Sequence, residues 1–212
     1  YAQAVVEQNI LSKPTRKARQ LALRHLVALY GTDTVNPIFR ALRRLWPLAE
    51  GSQPMLAMAV ALARDPLLRG SQAFILGLPV GADVPREAVE KFLDAAHPNR
   101  FSPASLKSFA QNISGSWTAA GFLLGKLRKV RCAVHPGPEV VAMLLFLGYL
   151  EGRTGQRLFS SEWMTLTGIP QGELVALATA ASHRGLLVFM HAGGVQEVRF
   201  PGYLTPEEDR IR

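Results

Sequence analysis

Val140 to Leu150 is a run of eleven residues without a charge, VVAMLLFLGYL, and it constrains this chain more than any other segment. A membrane-spanning helix needs about 20 consecutive apolar residues, so the run reaches only about half a span. It reads instead as a buried helix, Glu139 to Glu151, inside a soluble protein with no membrane partner. The 212 residues are 48% hydrophobic, enough to cover such a helix as one long domain or two small ones. A single cysteine, Cys132, excludes a disulfide framework and any multi-cysteine zinc site, and fits a reducing, cytoplasmic location. No signal peptide is visible in a chain that starts at Tyr1 and reads as trimmed.

Around this helix the pattern predicts more helices. Ala2 to Asn9 is a short first one. Ser12 with Pro14 opens a second that runs to Tyr30, where Gly31 stops it, and Asn36-Pro37 opens a third that Pro47 ends. Apolar helices over 53–64 and 66–78 follow, and Pro79, Gly81 and Pro85 mark a connection. Pro85 to Ala96 is the next helix. Ser102 then caps another with Pro103 at its first position, and Leu106, Phe109, Ala110, Ile113 and Trp117 form its inward stripe. Gly121 ends that helix, and Phe122 to Val134 alternates apolar with basic residues as an exposed strand does. Near the C-terminus the arrangement repeats: a short helix over 162–167, a helix from Gln171 to Arg184, and a hairpin pairing Leu186 to Met190 with Val195 to Phe200 across Ala192-Gly193-Gly194. The expected fold is mainly α, a helical N-terminal part followed by winged helix-turn-helix-like units with short β-hairpin wings. The expected segments are 1–79, 80–136 and 137–212.

Charge is segregated along this frame. The formal net charge is +8, and the acid-free stretch from Ala95 to Pro138 holds six Lys/Arg residues, four of them (Lys126, Arg128, Lys129 and Arg131) in GKLRKVR. Lys13 to Arg44 holds eight against one acid, Asp33. Like charges gathered this way repel one another unless a polyanion meets them, so double-stranded DNA is the expected partner. The alternative is a pair of solvated basic faces. Ser105, Lys107, Ser108, Gln111 and Asn112 lie opposite the inward stripe of the Ser102-capped helix. Short polar residues suit a major groove, because amide side chains pair bidentately with adenine and hydroxyls bond bases or phosphates. Lys126, Arg128, Lys129 and Arg131 then follow the backbone beside the groove. Lys13, Arg16, Lys17, Arg40, Arg43 and Arg44 form a second candidate contact. The C-terminal unit carries Glu162 and Glu173 and few bases, so packing or dimerisation suits it better than DNA reading.

Catalysis finds little support, and no enzyme activity or cofactor is expected. The histidines (His25, His97, His135, His183 and His191) are scattered, without metal-binding spacing. GYLEGRT has the wrong spacing for a phosphate loop, no GxSxG occurs, and Cys132 has no evident base beside it. Asp83, Glu87, Glu90 and Lys91 lack the acid-x-lysine spacing of restriction-type nucleases.

Three segments, EQNILSKPTRKARQLALRHLVALYG, ARDPLLR and FSPASLKSFAQNISGSWTAAGFLLGKLRKVR, together resemble the BrxA family of BREX bacteriophage-defence systems. The shared pattern is an asparagine–leucine opening, a Ser/Thr-rich basic helix, and a later Ser-x-x-Thr/Ser helix that ends in an aromatic residue and Ala-Gly. The resemblance covers most of the chain and carries no residue-level site. It implies a small non-enzymatic, mainly helical protein, similar to the NusB antitermination factor, that binds DNA beside a methyltransferase, an ATPase and other defence components. A winged-helix transcription regulator, or an adaptor whose basic faces bind an acidic protein, are the other classes consistent with the residues.

Overall fold

The computed structural model describes residues 1–211. Caps written into the sequence start its helices. Thr15 Oγ1 accepts from the Ala18 amide to open α1 (Arg16–Tyr30), and Asn36 Oδ1 accepts from Ile38 to open α2 (Pro37–Leu45). Before them Gln3–Glu7 forms one π-helical turn. α3 (Gln53–Arg64) leads to α4 (Pro66–Gly70), capped by Asp65, and to α5 (Gln72–Gly77). The expectation of one helix over 66–78 is corrected here. Ser71 donates its hydroxyl to the Leu68 carbonyl at 2.6 Å, a local bond that competes with helix continuation.

α6 (Arg86–Ala96) and α7 (Pro103–Ala119) pack on each other, and β1 (Leu123–Leu124) and β2 (Val130–Arg131) follow as an antiparallel hairpin. The exposed strand expected over 122–134 is therefore two short strands folded back at Gly125 to Lys129. Residues 81–84 add a third edge: Gly81 donates to Arg131 at 2.8 Å, Arg131 to Ala82 at 2.9 Å and Val84 to Lys129 at 2.8 Å. α8 (Pro138–Leu150) then crosses the interior. α9 (Gln156–Phe159), a 3-10 turn (Glu162–Thr167), α10 (Gln171–His183), β3 (Val188–Ala192), β4 (Val195–Arg199) and α11 (Pro206–Arg210) complete the chain. β3 and β4 pair across Gly193-Gly194, as the glycine signal predicts.

α8 is the centre of the packing. Every residue from Glu139 to Gly148 is buried, and the helix touches α2, α3, α9, α10 and the 3-10 turn. Its one charge, Glu139, is 3% exposed and forms an ion pair with Arg184 just past α10. Such a pairing is what keeps a buried carboxylate tolerable. The buried apolar side chains form one contiguous cluster from Phe39 to Tyr203. The boundaries expected at 79/80 and 136/137 thus fall inside a shared core, because α3 packs on both α7 and α8. Among the described residues no helix is long and apolar enough to cross a membrane.

Candidate nucleic-acid interface

α7 is anchored from within and open from without. Ser102 Oγ accepts from the Ser105 amide at 3.2 Å, Pro103 takes the first helical position, and the Ser105 hydroxyl lies 3.0 Å from that of Ser102. Ser105 thereby belongs to the cap and is only partly exposed. At the other end Trp117 is fully buried, donates its indole N–H to Ser71 Oγ at 2.8 Å, and meets Phe122 edge-on at 4.9 Å. With Ala110 and Ile113 also buried, the opposite face is turned outward. It shows Ala104, Lys107, Ser108, Gln111, Asn112, Gly115 and Ala119, one stripe of short side chains with a single charge. A cleft of about 260 Å³ separates this stripe from the hairpin, lined by Arg86, Gln111, Gly115, Lys126, Leu127 and Lys129.

The basic hairpin divides by destination. Lys126 is exposed at the tip. Arg128 is exposed too, but it holds Asp83 through two hydrogen bonds of 2.6 and 2.5 Å. That guanidinium keeps the Asp83 carboxyl below the usual carboxylate range. Lys129 is half-buried, its ammonium donating to Thr118 Oγ1 at 2.8 Å and to the Gly125 carbonyl at 3.2 Å. Arg131 corrects the sequence reading outright. It is 6% exposed and donates inward, to the carbonyls of Ile75 at 3.2 Å, Phe122 at 3.3 Å and Cys132. Burial lowers its pKa, yet an arginine stays charged. It braces the hairpin against α5 and cannot reach a phosphate.

The N-terminal flank divides the same way, so the joint projection expected of Arg40, Arg43 and Arg44 is a second correction. Arg40 is half-buried, paired with Glu208 and donating to the carbonyls of Thr34, Val35 and Tyr203. Arg44 donates to Pro201 at 2.6 Å and Gly185 at 3.2 Å and lies over the Tyr203 ring at 4.8 Å. Both fasten the C-terminal segment to α2. Arg43 is exposed and turned toward a groove with Leu26, Tyr30 and Trp46. Lys13 and Lys17 are exposed, and Arg16 pairs with Glu7 at 3.1 Å. These stand at the start of α1, whereas Tyr30 at its end shares a small cavity with Ser116, Ala119 and Ala120 of the α7 terminus. At 1.5 Å per residue α1 separates the two regions by roughly 20 Å.

Sequence reasoning missed Asp83 as a partner of the hairpin, since only the strand-like edge at 81–84 brings it there. Leu127 was also missed: it is 98% exposed at the tip. Among the described residues no group of three His, Cys, Asp or Glu could hold a metal ion. Family models, curated proteins and solved structures offer no match to this chain.

Proposed function

We propose that this protein is a non-catalytic, duplex DNA-binding component of a bacterial anti-phage defence system of the BREX type, acting through a winged helix-turn-helix built from α6, α7 and the β1–β2 hairpin. The observation that carries the DNA reading is the outward stripe of α7 beside a basic hairpin. Small polar side chains let a helix sink into a groove about 12 Å wide, and the absence of acids on the stripe avoids repelling phosphate. Gln111 and Asn112 meet base edges in this arrangement, Lys107 and Ser108 flank them, and Lys126 follows the phosphates. The defence context, with its methyltransferase and ATPase partners, rests on the sequence resemblance alone.

Fluorescence anisotropy with labelled duplex DNA at several salt concentrations tests the reading. Duplex affinity should fall steeply with salt, with a log–log slope near −0.9 for each neutralised phosphate. Lys107→Ala together with Lys126→Ala should flatten that slope by about two contacts. A duplex affinity that is absent, or indifferent to salt, ends the proposal.

A further inference from the structure

The loop that carries Leu127 is tied at its base by Gly125, Arg128 and Lys129, and Lys126 and Leu127 project from it. Gly125 turns the chain with φ +110°, and a Cβ there would fall 1.9 Å from the Arg128 carbonyl oxygen, so only glycine fits. Arg128 is held by Asp83 through its two hydrogen bonds, and Lys129 reaches both Thr118 and Gly125. A loop held at three points fixes its tip, and the tip bears a leucine 98% exposed between Lys126 and Arg128. Leu124, on the strand below, is 69% exposed. Leu127 stands at the edge of the cleft beside α7 without being covered by it.

From this we infer that Leu127 is a wedge for the minor groove of duplex DNA, inserting between two base pairs and kinking the helix. The inference rests on the DNA-binding reading above and extends it to what the protein does to the duplex. An apolar side chain presented between cations is the chemistry such a site takes. Lys126 is drawn to the negative potential of a narrow minor groove, Arg128 stays on Asp83, and the hydrocarbon fills the gap opened when a base step unstacks. A protein-binding surface would ask for a contiguous apolar patch, whereas the nearest neighbours of Leu127 in the chain are both charged. The firm loop also matters, because a wedge that folds away under load does not open a step. Flexible pyrimidine–purine steps such as TA are the sites where it should enter.

Energy transfer between dyes at the two ends of a duplex of about 30 base pairs with a central TA step measures the kink. A 2-aminopurine at that step reports unstacking. The wild type should bring the ends together by a bend of about 20–90° and brighten the 2-aminopurine. Leu127→Ala should bind the same duplex within roughly tenfold of the wild-type affinity, because the cost of unstacking disappears together with the contact. It should leave the duplex straight and the probe dark, and Leu127→Phe should restore both signals. The side chain touches no core, so the variant's fold is not at risk. Bending by Leu127→Ala equal to the wild type's, or wild-type binding without any bend, overturns the wedge while leaving DNA binding in place. A wild type that shifts no duplex at all overturns the DNA-binding reading itself, and that is visible in the same titration before any variant is compared.

Discussion

The two helix–hairpin units, residues 86–131 and 162–199, finish their second helices with the same backbone bonds. In α7 the amides of Ala120, Gly121 and Phe122 donate to Ser116, Thr118 and Trp117. In α10 those of Arg184, Gly185 and Leu186 donate to Ala180, Ser182 and Ala181, at the same offsets. A glycine in the left-handed region, Gly121 or Gly185, sits at the turn in each. From there the units diverge. The first hairpin tip carries Lys126, Leu127 and Arg128, while the second carries His191, Ala192 and Val195 around its glycines. The bases of the second unit have internal duties: Arg184 holds the buried Glu139, and Arg199 holds Glu197. Backbone geometry is thus shared, and what sets the first unit apart is the exposed Lys107 and Lys126, since its Arg128, Lys129 and Arg131 have internal partners as the arginines of the second unit do.

The largest expected effect probes the anchor that only the first unit has. Trp117 corresponds by its hydrogen bonding to Ala181, so the second unit relies on Tyr203 instead, packed 4.8 Å from Phe146 and donating its hydroxyl to Leu186 at 2.7 Å. Trp117→Ala should cost about 3–5 kcal/mol in urea unfolding, through the cavity it leaves in the shared core. A loss under about 1 kcal/mol would mean that α7 is held by something else. Next comes Arg131→Ala. It removes the guanidinium that ties the Ile75, Phe122 and Cys132 carbonyls together, although Phe122 and Ile75 keep backbone donors in Cys132 and Leu78, and should cost about 1–3 kcal/mol of stability. The salt dependence of DNA binding should not change, which salt titration of the folded variant checks. A flattened slope would return Arg131 to the phosphate contacts.

Gln111→Ala with Asn112→Ala sharpens the contrast between the helix faces. Melting temperature should hardly move, since exposed polar positions cost under about 0.5 kcal/mol. Discrimination among duplexes should fall by about 1–3 kcal/mol, while Glu173→Ala with Thr179→Ala on α10 should leave it untouched. The smallest effect concerns Asp83. Asp83→Asn should free Arg128 for a phosphate and steepen the salt slope by about 0.9. Acid should act likewise. The Asp83 carboxyl is held below its ordinary value by the hydrogen bond from Arg128, so the pair persists above the unfolded carboxylate range and is lost as pH falls through the lowered folded value. Duplex binding followed from pH 7 downward checks this.

Much of the scaffold was legible in the chain because its signals are local. Asn36 and Ser102 cap by reaching residues two or three positions on, and the apolar length of α8 needed no partner to be read as buried, whereas α1 is opened by Thr15 and not by Ser12 as expected. The outward stripe of α7 followed from helical spacing in the same way. The fates of the arginines were not legible. Arg40, Arg44 and Arg131 have the same composition signature as Lys126, and only acceptors far away in sequence distinguish them. The hairpin was misread as one strand because each of its strands has two residues, too short for alternation to register, and Gly125 gave the only hint of its fold.

The grip of α2 on the C-terminal segment has a consequence in time. Arg40 meets Tyr203 across 163 residues and Glu208 across 168, and Arg44 meets Pro201 across 157. At the roughly 5–20 residues per second of synthesis, those acceptors leave the ribosome roughly 8–30 s after the arginines do. For roughly the first 5–20 s of that interval α8 has not been made either, so Phe39, Leu42 and Leu45 stand uncovered with Arg40 and Arg44 unpaired beside them, and the arginines wait longer still for the last segment to take them up.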